Sequence, residues 1–231
     1  MTSPGSILSP GRPTVLTIAT PDYLNRWQFC IDSQRLYCNG HGYEHAIIRQ
    51  PESSLHPKWA KLEIALGFLI SGIDVLLIDC DAEIARDCPP FTDVLATSAE
   101  HDFFFVRGIS GRVNSGVLIL RGGADRASSA LLRDCLAHRL DKVPPEDFVS
   151  EEGENGHIIH FAKKEAYARF GKELGLEWNC SNPARARDAF IRHYTNRLRA
   201  ALEAGEFRPP GDEDHIDPRG PEPRPAGAGR G

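Results

Sequence analysis

The chain has 231 residues, 41% of them hydrophobic and 26% charged, with a net charge of −5, which suits one moderately large soluble domain, or two small ones, with ample core. The acidic balance, without a basic stripe interleaved with aromatics, argues against a nucleic-acid partner. No apolar run approaches the roughly 20 residues of a spanning helix, so no membrane span is expected.

In chain order, residues 1–13 hold three prolines and little that is apolar, and read as a flexible tail. Val15-Leu16-Thr17-Ile18-Ala19-Thr20 is a β-branched run closed by Pro21-Asp22, a first strand and loop. A helix is expected over 23–38, a turn over 40–43 and a second short strand over 44–49. Pro57 opens the best-defined helix, 57–71, since proline is favoured at the first helical position. Its Trp59, Leu62, Leu66 and Leu69 share one face, and Gly72 stands where a left-handed cap belongs.

Val75-Leu76-Leu77-Ile78 then reads as a strand buried on both faces. Strands are predicted at 103–106 and 116–120, and a helix over 124–140 with Leu131, Leu132, Cys135, Leu136 and Leu140 inward. A long loop leads to a possible strand at 157–161 on which His157 and His160 alternate, metal-adjacent or simply packed. A helix over 162–173, a strand over 189–193 and a helix over 195–204 follow. From 208 to 231 proline, glycine and charge dominate, a composition that favours disorder, which leaves 14–207 as the domain. The six cysteines form no Cys-x-x-Cys pair, and the start, Met1-Thr2-Ser3-Pro4, has no signal-peptide pattern. Reduced thiols in a cytoplasmic protein are expected.

The chemistry gathers at Asp79-Cys80-Asp81, directly after the central strand. In an extended chain residues i and i+2 point to one side, so both carboxylates would project from the strand's carboxyl end, where open α/β sheets bind ligands. Two hard oxygen donors suit Mg²⁺ or Mn²⁺, which would hold a phosphate. Alone, the motif also reads as a solvated acidic turn.

Over residues 15–199 the chain resembles GT-A glycosyltransferases related to the α-galactosyl/mannosyltransferase and nucleotide-diphospho-sugar transferase families. The resemblance rests on ordered stations: the strand and loop from Leu16 to Tyr23, Lys58-Trp59-Ala60-Lys61, Asp79-Cys80-Asp81, Asn114-Ser115-Gly116-Val117-Leu118-Ile119-Leu120, Glu177-Trp178-Asn179-Cys180 and the late His193. It implies an α/β fold with a mixed, mostly parallel central sheet flanked by helices. It also implies transfer of a hexose, with retention, from a UDP- or GDP-linked donor to a small-molecule, peptide or glycan acceptor, with Mn²⁺ or Mg²⁺ as cofactor.

By the same resemblance, Thr20, Pro21 and Tyr23 seat the base and ribose, and Lys61, Cys80, Asn114, Ser115 and Gly116 belong to the donor site. Asp81 would ligate the metal directly, Asp79 would reach ribose or metal, and His193 would supply a further ligand. Asn114 would hydrogen-bond sugar hydroxyls where Gly116 permits close approach, although a turn entering a buried strand also explains that glycine. Glu151 and Glu152 are the candidates beneath the reacting sugar, with the families' Asp-Gln pair absent. Trp178-Asn179 lines the acceptor side or packs. Arg107 and Arg112 face the diphosphate or solvent. Glycine and lysine follow the families' histidine; here Tyr194-Thr195-Asn196-Arg197 follows, so the pattern carries no phosphate contact over to Arg197 or Arg199.

Two other readings compete. Haloacid-dehalogenase-type phosphatases also place Asp-x-Asp after an apolar strand, but near the chain start and with threonine or valine where Glu83 stands. A non-catalytic sugar-nucleotide-binding protein would keep the fold without turnover.

Overall fold

A computed structural model describes residues 11–49, 55–151 and 153–209. Most of both expected tails, and Glu152, lie outside the described residues. The elements are β1 (Thr14–Ile18), α1 (Pro21–Arg26), α2 (Gln28–His41), β2 (Glu44–Ile48), α3 (Pro57–Ile70), β3 (Val75–Ile78), β4 (Ala82–Ile84) and α4 (Phe91–Ala96). They continue with β5 (Phe103–Arg107), β6 (Val113–Leu120), α5 (Ala127–Ala137), α6 (Asn155–Ala162), α7 (Glu165–Ala168), β7 (Gly171–Glu173), β8 (Ile191–His193) and α8 (Asn196–Glu203).

Six strands form one sheet in the order β2-β1-β3-β6-β5-β7. β1 pairs in parallel with β2 and β3, and β5 with β7, while β6 runs antiparallel to both β3 and β5. The sheet is thus mixed and mostly parallel. β3 is buried on both faces because its alternating side chains serve two cores. Val75 and Leu77 join Leu62, Leu69, Leu131, Leu132 and Phe161 beneath α3, α5 and α6. Leu76 and Ile78 join Tyr37, Phe91, Phe104 and Ile191 on the other side. A third cluster, with Trp27, Cys30, Tyr194 and Leu198, packs α1 and α8 against the end of the sheet. All six cysteines are buried and free, and none of the described helices is long and apolar enough to cross a membrane.

The start of β3 is set by the end of α3. Gly72 adopts φ +80°, the Gly72 N–H donates to Leu69 O, and the Ile73 N–H donates to Phe68 O. That Schellman pattern stops the helix and turns the chain into the strand.

Several expected elements are redrawn. The helix over 23–38 breaks at Trp27 into α1 and α2, and α2 runs through the expected turn to His41, capped by Gly42 at φ +70°. The stretch 157–161 is helical in α6, because Ile158, Phe161 and Ala162 fall at i, i+3 and i+4 and all enter the core. The helix over 162–173 shortens to α7, and the backbone of Gly171–Glu173 pairs with β5 instead. The helix over 124–140 ends at Ala137, leaving Leu140 exposed rather than inward.

Candidate metal and donor site

The chain does not stay extended through the Asp pair. The Ala82 N–H donates to Asp79 O at 3.1 Å, closing a turn over residues 79–82 before β4 begins. The two carboxylates nevertheless converge, because the turn is braced. The buried Gln34 of α2 donates to Asp79 O at 3.2 Å and Ala82 O at 2.8 Å, while its own carbonyl accepts from the Thr17 hydroxyl at 2.7 Å. β4 then pairs antiparallel with β8, setting His193 opposite Ala82 and therefore beside the pair. One ligand atom from each of Asp79, Asp81 and His193 lies within 4.8 Å of the others.

Each carboxylate is divided between a cation and this centre. Asp79 Oδ1 pairs with Lys61 at 3.0 Å, and its Oδ2 is 3.7 Å from His193 Nε2. Asp81 Oδ2 pairs with Arg199 at 2.5 Å, and its Oδ1 is 3.4 Å from His193 Nε2. The Tyr23 hydroxyl accepts from Arg199 at 2.7 Å and lies 3.4 Å from Asp81, and the guanidinium also sits 5.3 Å from the centre of the Trp27 ring. Burial by itself would raise the Asp81 pKa, but His193 and Arg199 hold it below the ordinary carboxylate value. Burial would likewise lower that of His193, and the Asp81 charge overrides it upward. Two hard oxygens and an imidazole suit a divalent cation.

The imidazole explains Gly116, whose φ is not positive. A Cβ at residue 116 would lie 2.1 Å from His193 Cε1, so the glycine clears space for the ring. The expected close approach is thus made by His193.

Behind Asp79 lies a buried network. The Lys61 ammonium contacts Asp79, Glu154 Oε1 at 2.8 Å and Ser115 O at 3.3 Å, so its donors are spent on the protein. Glu154 also accepts from the Ser115 hydroxyl at 2.6 Å. Burial works to raise the Glu154 pKa, and Lys61 brings it below normal; the same two carboxylates keep the buried Lys61 ammonium protonated. Asn155, opening α6, accepts from the Ser115 N–H at 2.9 Å, and Asn114 Oδ1 accepts from the Gly116 N–H at 2.9 Å.

These groups line one cleft of about 1010 Å³, which gathers Thr20, Tyr23, Lys61, Asp79, Cys80, Asp81, Asn114, Ser115, Gly116 and His193. Pro21 begins α1 without lining it, and Glu151 is exposed and likewise outside the lining. Sequence reasoning missed Glu154, Asn155 and Gln34; it set Arg199 aside, which in the structure lines the cleft, and gave Asn179 an acceptor-side or packing role, whereas its side chain meets His193. Between His193 and Arg199 the chain turns at Asn196, which takes φ +48°, a left-handed conformation that asparagine tolerates. Five fixed cations, Lys58, Lys61, Arg112, Arg197 and Arg199, line the cleft against three carboxylates, Asp79, Asp81 and Glu154. In a protein of net charge −5, that is a local reversal of sign which favours an anionic ligand.

No protein-family model matches the sequence, and no curated protein matches it. Solved structures share the fold. A glycosyltransferase involved in glycosylation of the major capsid of PBCV-1 is 14% identical, covers 84% of this chain and 100% of its own, and has a TM-score of 0.59. The glycosyltransferase GlyE of Streptococcus pneumoniae TIGR4 is also 14% identical, with a TM-score of 0.56; the match spans 86% of this chain but 61% of GlyE. The chain has the GT-A glycosyltransferase fold.

Proposed function

We propose that this protein is a nucleotide-sugar-dependent glycosyltransferase that uses Mn²⁺ or Mg²⁺ and transfers a hexose with retention from a UDP- or GDP-linked donor. The observation that carries the reading is the convergence of Asp79, Asp81 and His193 at the carboxyl end of β3, inside a cleft rich in cations. The ion would be held by these three residues, with Asp81 and His193 the buried pair, and would supply Lewis-acid neutralisation of a departing diphosphate. Thr20 and Tyr23 lie where β1 ends and would seat the nucleoside. Arg199, and Lys58, Arg112 and Arg197 around the mouth, add positive charge along the diphosphate's path.

Asn114 and the Ser115–Glu154 pair would face the sugar. Glu154 is held by Lys61 and Ser115 and is no free base, which supports retention. In that course the sugar–phosphate bond breaks, the acceptor oxygen bonds the anomeric carbon on the same face, and the acceptor proton passes to the departing phosphate. Glu151, although exposed here, stays a candidate with Glu152 for contact with sugar or acceptor. The acceptor is a small molecule, peptide or glycan, and six reduced thiols support a cytoplasmic setting. The fold does not favour the phosphatase reading.

The test is incubation with Mn²⁺ and a panel of UDP- and GDP-sugars, following nucleoside diphosphate release. Slow donor hydrolysis that chelator and Asp81→Ala both abolish is expected. Phosphate release from simple phosphomonoesters would overturn the reading, and donor binding without turnover under any condition would favour a non-catalytic binder.

A further inference from the structure

Asn179 is buried to 1% exposure and follows a 3₁₀ turn, Leu176–Trp178. Its side-chain amide spans two partners. Nδ2 donates to Asn114 O at 3.2 Å, and Oδ1 lies 3.0 Å from His193 Nδ1. A backbone carbonyl only accepts, so the amide nitrogen must face Asn114 and the amide oxygen must face the imidazole. An amide oxygen in turn only accepts, which requires the proton of His193 on Nδ1. In the neutral ring the lone pair then sits on Nε2, the atom that faces Asp79 Oδ2 and Asp81 Oδ1.

The backbone fixes this relation. The Cys180 N–H donates to Ile191 O at 2.9 Å and the His193 N–H to Cys180 O at 2.9 Å, so Asn179 and His193 ride on one frame. From the other side the ring rests against Gly116. A histidine ligand whose second nitrogen donates to a fixed acceptor is held in both tautomer and orientation.

We propose that Asn179 is a positioning residue that selects the His193 tautomer able to coordinate a divalent cation. The inference rests on the metal-dependent reading above. Asn179 acts through two bonds, and two substitutions separate them. Asn179→Asp keeps an acceptor for Nδ1–H but loses the donor to Asn114 O, whereas Asn179→Leu loses both.

The experiment is calorimetric titration with Mn²⁺ alone of the full chain, the two Asn179 variants and His193→Ala. Loss of an outer partner of a ligating histidine costs about 10–100-fold in affinity, so Asn179→Leu should weaken Mn²⁺ by that factor, while Asn179→Asp stays near wild type. Equal losses in both variants would mean that the tie to Asn114, and not the tautomer, is what matters, and would overturn the proposal. Wild-type affinity in Asn179→Leu would overturn it too, leaving the metal reading intact. Absence of Mn²⁺ binding to the wild type refutes the metal reading and takes the inference with it. Long-range nitrogen-15 spectra of histidine in the Mg²⁺-loaded wild type give a check independent of whether variants fold. His193 is expected as the Nδ1–H tautomer, and an Nε2–H signal refutes the assignment.

Discussion

Replacing Gly116 with alanine tests the packing beneath the metal centre. The added Cβ would meet His193 Cε1 at 2.1 Å, Nδ1 at 2.6 Å and Nε2 at 2.9 Å, whereas ordinary contact begins at 3.4 Å. The ring would have to retreat by about 1.3 Å, the difference between 3.4 Å and 2.1 Å. His193 is 4% exposed and held by Asn179, so that retreat strains or breaks the hydrogen bond at Nδ1. Overpacking costs about 1–3 kcal/mol and the lost hydrogen bond about 1 kcal/mol, so Gly116→Ala should destabilise by roughly 2–4 kcal/mol. For a domain near this size that lowers Tm by roughly 4–16 °C. Urea denaturation of wild type, Gly116→Ala, His193→Ala and the double variant forms a cycle. Once the ring is gone the Cβ has room, so the double variant should be less destabilised than the sum by about 1–3 kcal/mol. Wild-type stability in Gly116→Ala, or strict additivity, would refute the assigned contact.

Lys61→Met should cost about 3–5 kcal/mol, because it strands Glu154 in the interior without its counter-charge. The loss should shrink as pH falls and Glu154 becomes protonated, and Glu154→Leu added to Lys61→Met should recover much of it in urea titrations at two pH values. His45 in β2 is partly buried, and neither ring nitrogen has a partner among the described residues. Burial lowers its pKa from 6.5 to about 4, so between those values the unfolded chain binds more protons and stability falls as pH drops. The wild type should lose about 2 kcal/mol from this residue between pH 7 and pH 5. His45→Leu should flatten that slope in the same denaturation series, and an unchanged slope would remove His45 as its source.

Much of this fold was legible because its signals are local. A proline start and glycine stop bracket α3, and a four-residue apolar run marks β3. The errors lie where tertiary pairing overrides local pattern. Gly171-Lys172-Glu173 has no strand signature and becomes β7 because the edge of β5 offers hydrogen bonds. His157 and His160 stand three apart, a helical rather than a strand spacing, and Ile158, Phe161 and Ala162 share the helix face that enters the core. At the site, Asp79, Asp81 and His193 are legible as residue types, yet they do not converge by local extension of the chain. A braced turn and the β4–β8 pairing bring them together, not an extended strand. Glu154, Gln34 and Asn179 act through partners 39, 48 and 14 residues away, separations that no local pattern records.

In the proposed reaction a divalent cation at Asp79, Asp81 and His193 joins protein to diphosphate. The most direct measurement is calorimetric titration with UDP and with GDP, in Mn²⁺ and in chelator, for wild type and Asp81→Ala. Binding of at least one nucleotide that requires Mn²⁺ and disappears in Asp81→Ala is the predicted result. Equal binding in chelator, or in Asp81→Ala, would contradict the metal site.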